Sequence, residues 1–149
     1  MEGLAIGTAV VGLSHAAIKI ARFLSGIKDA PSVVRCLLAE VRSMTAIFRH
    51  LDTFITDSDN HRHANTSDIA VDDLVVIVTG CLCSFSELEA LLQGCSTDEP
   101  KGPQLNLWDR ARWAAKEPEL TRALANLQSH KTSINLLLML SVHLILRPR

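Results

Sequence analysis

Few residues in this chain have the types and spacing that chemistry needs. His61-Arg62-His63 stands among Asp57, Asp59, Asn60 and Asn65, in the polar stretch from Thr56 to Asp68. Two His with nearby Asp suggest a metal, but no second ordered pair of ligands follows at a recognisable spacing, so the stretch reads as a loop without metal. The four Cys, at 36, 81, 83 and 95, form no CxxC pair. Cys81 and Cys83 stand two apart on a helix, point to different faces and cannot bond to each other. They read as free thiols of a reducing cytosol, with Cys36, Cys81 and Cys83 as small core residues and Cys95 in a Gly-flanked loop. Gly7 to Gly12 lacks the Lys-Ser/Thr of a phosphate loop, and neither GxSxG nor HExxH occurs. His130-Lys131 reads as a packing and surface pair in mid-helix. These residues predict no catalytic site, cofactor, metal or small-molecule substrate, and hence a protein that is not an enzyme.

What remains is spacing suited to surfaces. From Gly3 to Ile18 there is no Lys, Arg, Asp or Glu. Gly3 and Gly7 form a GxxxG and Ala5–Ala9 repeats the small-xxx-small interval, which lets helix backbones approach closely, in membranes especially. Gly3, Leu4, Ile6, Gly7, Val10, Val11 and Leu13 are therefore the candidates for contact with lipid or with a second copy. Lys19 and Arg22 follow, and Arg35, Arg42 and Arg49 stand seven apart as a basic stripe. These five are the candidates for meeting anionic headgroups; a solvated face is the plainer reading of the stripe. As a helix, the uncharged run is about 24 Å long, short of a ~30 Å hydrocarbon core. An obligate transmembrane span is not expected, and a bundle helix able to leave the bundle is. Glu2 stands where a secretory signal would be basic.

The elements that must position these residues are helical. Leu74 to Phe85 (LVVIVTGCLCSF) carries no charge, and apolar positions continue at Leu88, Leu91 and Leu92. A helix over 71–93 accounts for this better than a strand of that length. It is expected at the centre, with the rest of the chain surrounding it and Gly80 admitting a neighbour's backbone. Gly26 closes the first helix as a C′ residue, and Pro31 opens the next. On that helix Val34, Leu37, Leu38, Val41, Met44, Phe48, Leu51 and Ile55 mark one face. The run GCSTDEPKGPQ is a loop. Residues 106–116 predict a short helix, broken and restarted at Glu117-Pro118. Beyond it Leu120, Leu124, Leu127, Ile134 and Leu138 keep a four-three rhythm that Lys131 interrupts. At 149 residues, 48% apolar, with two Trp, four Phe and no Tyr, the chain is expected to be a single all-α domain, a multi-helix bundle with the N-terminal apolar helix packed on the central one. The net charge of −1 and the absence of a concentrated basic face or reading motif predict no nucleic-acid partner.

Three segments, KDAPSVVRCLLAEVRSM (28–44), VVIVTGCLCSFSELEALL (75–92) and WDRARWAAKEPELTRALANLQSHKTSINLLL (108–138), together with the small-residue N-terminal helix, resemble the fungal HeLo-like N-terminal domain of NOD-like (STAND) receptors and ankyrin proteins. The resemblance covers about residues 1–140. It implies a helical bundle related to the HeLo domain of heterokaryon incompatibility and to the bundle of the necroptosis executioner. Such domains act in programmed cell death by disrupting membranes, with the N-terminal helix implicated. The receptors continue into a nucleotide-binding domain and repeats, whereas this sequence ends at Arg149. Two functions compete on this basis. One is a cytoplasmic effector recruited to an anionic plasma membrane, acting through the N-terminal helix. The other is a soluble adaptor or oligomerisation module that meets helical partners or its own copies and never enters lipid.

Overall fold

A computed structural model describes the backbone of residues 2–60, 67–95 and 107–146 and the side chains of residues 5–57, 71–95 and 110–141. Four helices account for nearly all of it: α1 (Glu2–Ser25), α2 (Ser32–Asn60), α3 (Ser67–Cys95) and α4 (Leu107–Leu146). The metal-like His61 and His63 lie outside the described residues. Among those described there is no strand.

Each helix buries a stripe at alternating intervals of three and four. Ile6, Val10, Leu13, Ala17, Ile20 and Leu24 do so on α1, and Leu74, Val78, Cys81, Phe85, Leu88, Leu92 and Cys95 on α3. On α2 all eight residues expected on the inner face are buried or packed against the core. A 3.5-residue interval keeps one stripe facing the partners along nearly straight helices, which is the pattern of a bundle.

The helices stand at the corners of a square, in the order α1, α2, α4, α3 around it. Six residues separate α2 from α3. Extended, they reach roughly 25 Å, too short to return along a 29-residue helix, so α3 runs antiparallel to α2 and parallel to α1. Lys19 near the end of α1 meets Glu89 near the end of α3, in keeping with that direction. Across the diagonal, the Phe48 and Phe85 rings meet in a tilted pair with centroids 5.8 Å apart.

The loop between α1 and α2 follows the expected chemistry with one difference. The Gly26 N–H donates to the carbonyls of Arg22 and Phe23, and the Pro31 carbonyl accepts from Val34 and Arg35 to start α2. The left-handed residue, however, is Asp29, at φ 52°, and not Gly26.

Two expectations are corrected. Residues 107–146 form one 40-residue helix with Pro118 inside it, not two helices. Proline removes one N–H and crowds the carbonyl four residues back. Here both Pro118 and Ala114 are exposed, so water can satisfy the freed carbonyl. Buried positions at Trp113, Leu120, Leu127, Ile134 and Ser141 continue one stripe through the proline, and that packing holds the helix together. The second correction concerns α3. It is a corner of the square and is not surrounded, touching α4 and α1 on its flanks and α2 only across the diagonal. Val76 on its outer side is 71% exposed.

Candidate membrane-facing surface

The residues singled out for lipid or self-association divide between two sides of α1. Ile6, Val10 and Leu13 point into the core. Val11 is 44% exposed and Gly7 lies at the edge of the buried stripe. Gly3 and Leu4 belong to the first turn, where side chains are outside the described residues. A Cβ added at Gly7 or Gly12 would meet nothing within 4 Å. Close packing inside the bundle therefore does not account for glycine at either position, although each costs the helix about 1 kcal/mol relative to Ala.

Of the basic candidates, Lys19 is engaged. Its Nζ lies 2.7 Å from Glu89 Oε1, an exposed pair worth at most about 1 kcal/mol. Arg22, Arg35, Arg42 and Arg49 are exposed and have no ion-pair partner among the described residues. The helical phase of α2 places its three Arg on the outer side next to α1, opposite the flank that carries Glu40 toward α4. On α1 the same logic places Gly7, Val11 and Ile18 toward α2, away from the flank that meets α3 through Lys19. The fold thus brings Gly7 and Val11 onto one outer face with Arg35, Arg42 and Arg49. Arg35 also borders an open cleft of about 310 Å³ at the α1–α2 turn, lined by Leu24, Ile27, Ala30, Val34 and Leu38 and edged by Asp29.

Length no longer separates the candidate helices from membrane spans. Ala5–Ser25 and Val71–Cys95 are each long and apolar enough to cross a bilayer, although the core helix of a soluble bundle passes the same test. The whole of α1, at 24 residues, is about 36 Å long, because its helix runs past the uncharged segment. Exposed aliphatic side chains concentrate at one end. Val11, Val75, Val76, Leu82, Leu136, Met139 and Leu140 are exposed. The Lys19–Glu89 and Gly80–His130 contacts align Val75, Val76, Leu136, Met139 and Leu140 toward the end that holds the N-terminus of α1, with Val11 and Leu82 near mid-height. Phe23 is the exception, toward the other end.

Two polar contacts between helices escaped the sequence reading. Lys131 Nζ approaches Glu40 Oε1 to 2.6 Å between α4 and α2, with the Glu40 side chain only 10% exposed. The approach lies outside hydrogen-bond geometry, so this is a close ion pair and not a directed hydrogen bond. Both residues interrupt apolar stripes, and two interruptions on neighbouring helices were the signal that could have paired them. The second contact joins α3 to α4. The His130 ring fills the space over Gly80, where a Cβ would stand 2.9 Å from Cε1. Its Nε2 is 2.8 Å from Ser84 Oγ, and burial pushes its pKa below the usual 6.5. Gly80 therefore admits a ring and not a backbone. Among the described residues no carboxylate reaches His130, and mid-helix N–H groups around Ser84 are used within the helix, so the pair lacks both an orienting acid and an oxyanion site.

The thiols are also rearranged. Cys36 and Cys83 are exposed, while Cys81 and Cys95 are buried. Cys95 ends α3 instead of sitting in a loop. Burial raises the Cys81 thiol to about 12 and also raises that of Cys95. Among the described residues no group of three His, Cys, Asp or Glu is placed to hold a metal ion. Compared with protein-family models, curated proteins and solved structures, the chain gives no match.

Proposed function

We propose that this chain is a non-catalytic helical effector domain that acts on membranes through α1, of the kind that executes programmed cell death. The observation that carries the reading is the open environment of Gly7 and Gly12, on a helix uncharged from Gly3 to Ile18. Glycines that serve no packing inside the bundle are available for close helix pairing outside it. Arg35, Arg42 and Arg49, beside Gly7 and without an ion-pair partner among the described residues, suit anionic headgroups. The resemblance to HeLo-like domains points the same way. At rest α1 is docked through its six buried residues, and in the active state it leaves the bundle and pairs with copies of itself in lipid.

The second reading, a soluble adaptor or oligomerisation module, draws on that same docking: a helix holding six core positions is a structural part of the bundle. Vesicle flotation and dye leakage separate the two. Anionic vesicles are expected to float the protein better than neutral ones and to leak. Gly7→Leu should reduce leakage while leaving flotation largely intact, since the site has room for a side chain and only helix pairing is blocked. Removing residues 2–20 would also remove five core side chains, so the point variant is the cleaner test. No vesicle association with either lipid would return the domain to the adaptor reading.

A further inference from the structure

We infer that the outer side of α3, formed by Val75, Val76, Thr79, Leu82 and Cys83, is a second lipid-contacting surface. It enters the interfacial layer of the bilayer alongside α1. The inference rests on the membrane reading above and adds to it an element that is already exposed in the resting fold.

The observations begin with burial. Only 33% of the most apolar stretch of α3 is buried, and Val75, Val76 and Leu82 are 42%, 71% and 40% exposed. No charge interrupts the run between Asp73 and Glu87. By helical phase Val75 and Leu82 lie on the flank toward α1, on the side of Glu89 and opposite Gly80 and Ser84, which meet α4 through His130. The ridge thus adjoins the flank of α1 that carries Gly12 and Lys19, around the helix from Gly7 and Val11. Gly12 on the adjoining side of α1 carries no side chain and has open space around it.

Area and charge choose the occupant. Three half-exposed aliphatic side chains offer a few hundred Å² at most, against about 800 Å² per partner in a stable protein interface. A second copy or a protein partner would gain too little from this ridge alone. A bilayer interface takes up small apolar ridges in proportion to their area and needs no matching shape. Asp72, Asp73 and Glu87 flank the ridge, so this contact draws on apolar burial and not on anionic headgroups, which fall to the Arg stripe of α2.

Cys83 lies on the ridge and Cys36 on α2, on the flank toward α4 and away from it; both are exposed, while Cys81 and Cys95 are buried. An environment-sensitive fluorophore can therefore be placed on Cys83 in a Cys36→Ser background, and on Cys36 in a Cys83→Ser background as the control. With phosphatidylcholine vesicles containing an anionic fraction, the Cys83 probe should shift to the blue and be quenched by nitroxide-labelled lipid, while the Cys36 probe does neither. Val76→Asp, at a position open enough to keep the fold, should weaken vesicle binding about tenfold. If vesicles float the protein but the Cys83 probe stays in water, the α3 surface is wrong and the membrane reading stands. Failure to float overturns both. A blue shift that grows with protein concentration in the absence of vesicles would overturn the lipid assignment in favour of a second copy.

Discussion

At Gly80 two residue-scale effects oppose each other. Alanine is the better helix former by about 1 kcal/mol, yet its Cβ would stand 2.9 Å from His130 Cε1. The imidazole is stiff and held by Ser84, so it cannot yield without losing that contact. Gly80→Ala is expected to lower stability by roughly 1–3 kcal/mol net, measured by chemical denaturation; a stabilised variant would show that the ring moves freely. The same histidine gives a pH dependence. Burial lowers its pKa in the folded state from 6.5, so the unfolded chain binds the proton more readily. Its contribution is complete above about pH 6.5 and is lost as the pH falls toward the folded value. Between about pH 7.5 and about pH 5, the denaturation midpoint should fall more steeply for the native chain than for His130→Gln. For the thiols, Cys36 and Cys83 should react with maleimide quickly and Cys81 and Cys95 slowly, as mass spectrometry of a labelling time course would show. Fast labelling of Cys81 would contradict its burial. The sequence held part of this: in the repeat Leu74, Val78, Cys81, Phe85, Cys83 falls out of phase. Only counting it as apolar placed it in the core. Cys95 was misplaced because α3 continues through Gly94, which has open space around it and no turn to make.

At the scale of elements, α2 was the most legible helix because its apolar stripe is unbroken but for Glu40. α4 was the least legible. Pro118 carries a strong local preference, and nothing local reports that Trp113 and Leu120 share a buried stripe across it; tertiary packing decided the outcome. The surface of α1 was half legible: spacing identified Gly7 and Val11, but only the fold distinguishes them from Ile6, Val10 and Leu13, which face inward. The Glu40–Lys131 pair sets the relation of α2 to α4. Lys131→Met would leave a carboxylate 10% exposed without its partner, at an expected cost of about 3–5 kcal/mol, whereas replacing both residues by Leu should be near neutral or stabilising. Denaturation of the two singles and the double measures this directly. Equal losses for Lys131→Met and the double variant would mean that the carboxylate is well solvated after all.

On the scale of the whole molecule, four corner helices share one core whose diagonal is closed by Phe48 and Phe85. Phe48→Ala removes a fully buried ring from that junction and should cost about 3–5 kcal/mol. Because all four helices contribute to the same core, helix content and Trp fluorescence should shift together to the lower midpoint. Separate transitions would indicate that one pair of helices is stable alone. The all-helical bundle was readable from periodicity; the corner position of α3 was not, since a uniformly apolar helix can be enclosed or can keep a side for something else.

The seat of the His130 ring on Gly80 has a further consequence, in heredity. Two positions far apart in the chain form one steric unit, so neither can drift alone. Among descendants of this chain, a side chain at position 80 should be found only with a smaller residue at position 130. That paired record would let the seam between α3 and α4 be recovered from variation without any coordinates.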